Sequence, residues 1–376
     1  MNEYSETVQS LLRPEIHGLP AYDPGADSET VSREFKPPRV IKLSNNENPY
    51  GLSPVAAQAI QRRLDQGMGR YPDPAGKELC RVLAERHGVE HRRVVLGNGS
   101  ENILELLCQA FLGKGETVVA QTPCFGLHEI FPLMMGAGVH KVPLTETFGF
   151  DASRWRQALE GPVKLVFVCQ PSNPVGTVFS REELQALIAY TSENALLVVD
   201  EAYYEYARLD PAYADALDLL RHVNRPWIVL RTFSKAYGLA GLRVGYAIAS
   251  HANLIEALHR VRTPYNVNQL AQEAALAALD DVAHLEKSVS LISQERARLT
   301  QALRVAGFRV APSHTNFLFI DTGMDAIYVM RQLLRAGVIV KAWREPGYDT
   351  YIRVSLALPA DNDVFLQELI RVQNRV

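Results

Sequence analysis

From about residue 55 to residue 265, short apolar runs alternate with amphipathic stretches, and no other feature of this chain narrows its choice of fold as much. Seven runs have strand length: 93–96, 116–120, 139–144, 164–169, 196–200, 227–231 and 244–249. Several are continuously apolar, as in Leu196-Leu197-Val198-Val199. A strand that buries one face alternates apolar with polar; a strand covered on both faces does not. Helical patterns such as 101–112 and 181–192 lie between the runs. Strand and helix in turn predict an α/β fold, a mostly parallel seven-stranded sheet flanked by helices.

Outside that block the texture changes. Residues 1–40 carry Pro14, Pro20, Pro24, Pro37 and Pro38 with little periodicity, and read as an arm or irregular lead-in. A long helical pattern over about 269–306 precedes short strands at 317–320 and 351–356, with helices around 325–336 and 362–376. The expected division is an N-terminal arm with part of a small domain (1–50), a large domain (51–265) and a smaller α+β domain (266–376). With 376 residues, 47% of them hydrophobic, the chain has material for cores of that number.

A formal net charge of −3 gives no electrostatic case for nucleic acid or an anionic membrane. The N-terminus, Met1-Asn2-Glu3-Tyr4-Ser5-Glu6, lacks the basic-then-apolar pattern of a secretory leader, and the apolar runs are far too short to span a bilayer. A cytoplasmic protein with no membrane partner is expected. Cys80, Cys108, Cys124 and Cys169 form no Cys-x-x-Cys pair and no zinc spacing with histidine, so reduced, buried thiols and no metal site are expected.

Four segments that follow apolar runs carry the chemistry. In an open α/β sheet, ligands bind beyond the carboxyl ends of the strands. Lys235, in Thr232-Phe233-Ser234-Lys235, follows one such end. Partial burial there lowers the pKa of an amine and makes it nucleophilic toward an aldehyde. Thr232, Ser234 and Arg243 are suited to surround a phosphate. Asp200 closes the run Leu196-Leu197-Val198-Val199, where a carboxylate needs a partner such as a protonated ring nitrogen; Tyr203 follows three residues on. Asn173 stands in the turn Pro171-Ser172-Asn173-Pro174-Val175-Gly176. Gly97-Asn98-Gly99-Ser100-Glu101 leads into a helix whose N-terminus favours an anion, and Asn102 breaks the Gly-x-Gly-x-x-Gly dinucleotide pattern. Phe125, after another run, is an aromatic able to cover a flat ring. Taken singly, each has a plain structural explanation: a surface lysine, a helix-capping aspartate, a turn asparagine.

Together and in this order, Ser-Asn-Pro-x-Gly, Asp-Glu-Ala-Tyr and Thr-Phe-Ser-Lys resemble the class I/II aminotransferases, pyridoxal-phosphate (PLP) enzymes of fold type I. The resemblance runs from about Lys42 to the end. Within the superfamily the chain is most similar to histidinol-phosphate aminotransferases, through Leu43-Ser44-Asn45-Asn46-Glu47-Asn48-Pro49-Tyr50-Gly51, Arg70-Tyr71-Pro72-Asp73, Arg262-Thr263-Pro264-Tyr265-Asn266-Val267-Asn268 and Thr315-Asn316-Phe317.

The resemblance implies that Lys235 forms the Schiff base with PLP and shuttles protons. It implies that Asp200 pairs with the ring nitrogen, that Asn173 and Tyr203 hold the ring oxygen, and that Phe125 covers the ring. Ser100, Glu101 (through its backbone), Thr232, Ser234 and Arg243 would hold the phosphate. Tyr71 would reach the phosphate of a neighbouring subunit, which implies a homodimer. Tyr22, Asn173, Arg353 and Lys341 would bind the substrate, Arg353 taking its anionic group. Histidinol phosphate and 2-oxoglutarate, the pair of histidine biosynthesis, are the implied donor and acceptor. Two departures sit near that anion pocket: Lys341 where a second arginine is usual, and Ser355-Leu356-Ala357-Leu358 where a glycine is usual. Lysine supplies a point charge in place of a bidentate fork, so donors with aromatic or other side chains stay open. So does another PLP reaction on the same scaffold, decarboxylation or oxidation. A nicotinamide oxidoreductase using Gly97 and Gly99, or a non-catalytic PLP-binding regulator, fits the residues less well.

Overall fold

The computed structural model describes residues 8–375, so the first residues of the expected arm and the last of the expected C-terminal helix lie outside the described residues. After β1 (Ile41–Lys42), the seven apolar runs all become strands of one sheet: β2 (Val94–Gly97), β3 (Thr117–Thr122), β4 (Gly138–Pro143), β5 (Leu165–Cys169), β6 (Leu196–Asp200), β7 (Trp227–Thr232) and β8 (Gly245–Ala249). Their order is β2-β8-β7-β6-β5-β3-β4. β8 runs antiparallel to both its neighbours, and every other pairing is parallel.

The continuous apolar runs have the cause expected of them. Leu197 and Val199 of β6 join one core with Val166, Val168 and Val229, while Leu196 and Val198 join the opposite core with Leu165, Phe167 and Ile228. Helices seal both faces. Leu184 and Leu187 of the helix Arg181–Tyr190 cover the first, and Ile103, Leu104 and Leu107 of the helix Ser100–Phe111 cover the second. Strand order reverses between β3 and β5, the position at which an open parallel sheet leaves a crevice at its carboxyl edge.

A second sheet, β12-β13-β10-β9, is antiparallel throughout and comprises β9 (Arg309–Val310), β10 (Phe317–Asp321), β12 (Lys341–Ala342) and β13 (Tyr351–Ser355). β11 (Val338–Ile339) pairs in parallel with β1. Helices Val282–Val305, Ala326–Arg335 and Pro359–Gln373 supply Val289, Ile292, Val329 and Phe365 to the core beneath Leu318, Ile320, Ile352 and Val354.

Two expectations change. The single helix over 269–306 is two, Gln269–Asp280 and Val282–Val305, broken at Asp281, whose side chain caps the second by accepting from the His284 N–H. The first helix buries Ala271, Ala274, Ala275 and Ala278 in the core of the large sheet, beside Ala56 of the helix Pro54–Asp65. Packing passes from one core to the other at Asp281. Helical periodicity reports an apolar face and is silent on which core receives it. The lead-in is also more ordered than its prolines suggest: Asp27 accepts from Thr30 N–H at 2.8 Å and starts a helix, Ser28–Phe35, that buries Val31.

A buried ion pair ties the ends of β6 and β7. Arg231 donates to Glu201 Oε2 through Nε at 2.9 Å and through an NH2 group at 2.7 Å, and also reaches Asp215 Oδ1 at 3.0 Å. Glu201 and Arg231 are almost wholly excluded from solvent. Removing one partner of such a pair strands the other, which typically costs about 3–5 kcal/mol. Glu201→Leu is expected to destabilise the fold by about that amount, read as a lowered urea midpoint. The double variant Glu201→Leu/Arg231→Leu is expected to recover part of the loss.

Candidate active site

The loops at the carboxyl edge of β3, β5, β6 and β7 converge with the arm and with β13 on a cavity of about 330 Å³. Lys235 enters it from the turn after β7. In that turn Thr232 Oγ1 donates to Ser234 Oγ at 3.0 Å and accepts from the Ser234 N–H at 3.1 Å. Lys235 Nζ donates to the Asn45 carbonyl at 3.0 Å. Burial, followed by the nearby positive charge of Arg353, pushes its pKa from the ordinary 10.5 down to about 8.

Asp200 ends β6. Its Oδ1 accepts from the Ala202 N–H at 3.1 Å, and its Oδ2 lies 3.2 Å from His128 Nε2. His128 is itself buried, stacked on Phe167 at 5.3 Å and met edge-on by Phe125 at 5.8 Å. The phenol of Tyr203 accepts from Asn46 Nδ2 at 2.9 Å and from Asn173 Nδ2 at 3.4 Å. Burial raises its pKa. Asn173 Oδ1 in turn accepts from Arg353 at 2.6 Å. Arg353, on β13, also donates to the Ser44 carbonyl, and its buried Nε has no partner.

On another side of the cavity lies a set of anion-binding groups. Gly99 precedes the helix Ser100–Phe111 at φ 78° and offers no capping side chain, so the first N–H groups of that helix lack a side-chain acceptor there. Ser100, Thr232, Ser234 and Arg243 line the same space, and Arg243 pairs with Glu101 at 2.8 Å. Two glycines let these elements approach. A Cβ on Gly99 would lie 2.4 Å from an Arg243 nitrogen, and one on Gly245 would lie 2.5 Å from the Ser100 nitrogen. Three donor hydroxyls, a guanidinium and a helix N-terminus around one volume suit a phosphate dianion.

The arm closes the remaining side. Tyr22 meets Phe125 edge-on at 6.0 Å, and Asp23 pairs with Lys341 at 2.9 Å. Of the residues singled out in the sequence, Tyr71 alone is absent from the cavity. It is exposed and stacks on Tyr265 at 4.5 Å.

Several contributors carried no role in the sequence reading. Asn46 is held by Ser355, whose Oγ accepts the Asn46 N–H at 2.7 Å and donates to its Oδ1 at 3.0 Å; Asn316 Nδ2 donates to the Asn46 carbonyl at 2.9 Å. Asn45, Asn46 and Asn316 stand inside motifs that carry the family resemblance, which was the available signal. His128 and Asp23 had none. Among the described residues, no group of three or more His, Cys, Asp or Glu is arranged to hold a metal ion, and no helix is long and apolar enough to cross a membrane. The four cysteines are buried and unpaired.

An enzyme built on a mostly parallel sheet, with a buried lysine at its carboxyl edge, is the class this fold and site define. The chain belongs to the aminotransferase class I and II family, whose profile matches residues 38–369. It is 43% identical over 366 residues to histidinol-phosphate aminotransferase 3 of Rhizobium meliloti (strain 1021), covering 96% of this chain and 97% of that one. Histidinol-phosphate aminotransferase 2 of Pseudomonas aeruginosa is also 43% identical over 366 residues, with 96% and 98% covered. Among solved structures, histidinol-phosphate aminotransferase from Sinorhizobium meliloti in complex with pyridoxal-5'-phosphate superposes with a TM-score of 0.87 at 27% identity, covering 97% of this chain and 98% of that one. A Thermus thermophilus aspartate aminotransferase mutant gives 0.84 at 25% identity, covering 96% and 99%.

A lysine of lowered pKa holds more of its neutral, reactive amine at modest pH, a fraction that grows as pH rises through the pKa. Acylation of Lys235 by an amine-directed reagent, followed by mass spectrometry of the apoprotein, is expected to reach half its maximal rate near pH 8, where an ordinary lysine would do so near 10.5.

Proposed function

We propose that this chain is a PLP-dependent aminotransferase that transfers the amino group of histidinol phosphate to 2-oxoglutarate, in histidine biosynthesis. One observation carries the reading: a buried amine of lowered pKa, Lys235, shares one cavity with a strand-end carboxylate and a set of phosphate-binding groups. The names of the relatives, at 43% identity over nearly the full chain, support histidinol phosphate as the amino donor.

The residues present fit the cofactor. Gly99 and Gly245 let Arg243 and the start of the helix Ser100–Phe111 draw together, since an added Cβ at either would clash with them, and the donors gathered there suit a phosphate. Ser100, Thr232, Ser234, Arg243 and the Glu101 N–H would hold that group. Phe125 would cover the ring, Asn173 and Tyr203 would hold its oxygen, and Asp200, steadied by His128, would hold its nitrogen protonated. Bound PLP supplies an electron sink that lets the α-carbon of an attached amine lose its proton. Lys235 Nζ would take that proton and return it. Arg353, with a buried Nε still free to donate, takes the substrate's anionic group, and Tyr22 and Lys341 complete the substrate's surroundings. Amino donor and keto acceptor use the same cavity in turn.

The cores support an arm (to about residue 50), a large domain and a small domain, with the boundary near Asp281. The exposed Tyr71–Tyr265 stack supports a homodimer in which Tyr71 reaches the phosphate of the neighbouring subunit's cofactor. The Asp23–Lys341 pair favours a second reading of the substrate alone, an amino acid with an aromatic side chain whose carboxylate binds Arg353.

Mixing the holoenzyme with histidinol phosphate is expected to convert bound PLP to its amine form, seen as loss of the yellow chromophore; no conversion would remove that donor. Lys235→Ala is expected to lower kcat by about 10²–10⁴-fold and to lack the yellow band. Mixing Lys235→Ala with Tyr71→Phe subunits is expected to restore tight cofactor binding in the heterodimer, at the one site that has both groups. Absence of that rescue, measured by PLP titration, would count against a shared site.

A further inference from the structure

Lys341 of β12 and Arg353 of β13 are direct cross-strand partners, so both side chains stand on one face of the small sheet, and both line the cavity. Like charges opposite each other are destabilising unless something offsets them, and two adjacent cations are a natural site for a dianion. The two are treated differently. Arg353 is met by neutral acceptors, Asn173 Oδ1 and the Ser44 carbonyl, and keeps an unpartnered buried Nε. Lys341 is met by a full negative charge: Asp23 Oδ2 lies 2.9 Å from Nζ, and Nζ also donates to the Asp23 carbonyl. The Asp23 side chain is held to this task by the Gly25 N–H at 2.8 Å. Burial opposes its ionisation, but the hydrogen bond to Lys341, the Gly25 N–H and the charges of Lys341 and Arg344 keep its carboxyl below the ordinary value. It is therefore ionised at neutral pH.

We propose that Asp23 is a specificity-determining residue that neutralises Lys341 and so limits the anionic charge the substrate carries at the Arg353 end of the cavity. The inference rests on the reading that amino donors bind this cavity through Arg353. With Asp23 in place, Arg353 is the one uncompensated cation of the cross-strand pair, and the pair with its carboxylate presents a net charge of one rather than two. A donor with one carboxylate and a neutral side chain meets that charge without disturbing the arm. A phosphomonoester dianion must share the second cation with Asp23 or displace it from Lys341. Asp23 thus shifts preference toward monoanionic donors, and it does so from the arm, outside every motif of the cofactor site.

The test compares kcat/KM for histidinol phosphate and for phenylalanine in the wild type, Asp23→Asn, Lys341→Met and the double variant. Asp23→Asn is expected to raise the histidinol phosphate to phenylalanine ratio by about three- to tenfold, chiefly through KM, as suits a partly exposed ion pair. Lys341→Met is expected to lower the ratio, and the effect of Asp23→Asn is expected to vanish in the double variant. Inorganic phosphate, titrated into the holoenzyme and followed by the cofactor absorbance, gives a readout independent of turnover: Asp23→Asn should bind it more tightly by a similar factor. An unchanged or lowered ratio with unchanged phosphate binding in Asp23→Asn, or an effect that persists without Lys341, overturns the proposal. Failure of the underlying reading looks different: wild-type holoenzyme would transaminate neither donor, and phosphate would not perturb its spectrum in any variant.

Discussion

The site depends on Arg231, a guanidinium sealed between the ends of β6 and β7. Glu201 directly follows Asp200, and Arg231 stands four residues before Lys235. The Glu201–Arg231 bond therefore fixes the separation of the carboxylate and the amine that define the site. Its geometry is fully engaged. Glu201 Oε1 accepts from Tyr213 at 2.8 Å and from the Ala216 N–H at 3.0 Å, and the guanidinium carbon lies 3.4 Å from the Tyr204 ring centroid. A buried charge pair is a poor source of net stability, but breaking it is costly, so it admits one arrangement of the two strands and penalises others.

Charge is distributed around the cavity by the same logic. Burial and the field of Arg353 lower the pKa of Lys235. Asp200 is shielded from water, with His128 as its side-chain neighbour. Arg243 rests against Glu101, and Lys341 against Asp23, both on partly exposed residues of a kind a ligand can displace. Arg353 and Lys235 meet only neutral acceptors, and Arg353 also keeps a buried Nε without a partner. The sheet provides the amine and carboxylate, the helix N-terminus the anion cradle, and the arm a tunable charge.

Much of this was legible in the sequence because its signals are local. Continuous apolar runs such as Leu196-Leu197-Val198-Val199 mark strands buried on both faces, and the motifs around Lys235, Asp200 and Asn173 sit where those runs end. What escaped had no local signal. The alanine face of Gln269–Asp280 is equally compatible with either core until Ala56 is seen to face it. His128 lies in a helix with no motif, 72 positions from the aspartate it touches. Asp23 looks like a loop acid until Lys341, 318 positions away, is placed beside it.

The sequence by itself determined the seven strands of the large sheet, the strand-end positions of Lys235, Asp200 and Asn173, and the family, because hydrophobic period and short motifs are properties of neighbouring residues. Only the tertiary structure decided which charges neutralise one another: Arg231 with Glu201, Lys341 with Asp23, Arg353 with no acid at all. Coulombic pairing and burial depend on distance in space and on the water excluded around each group, and a linear order of residues carries neither.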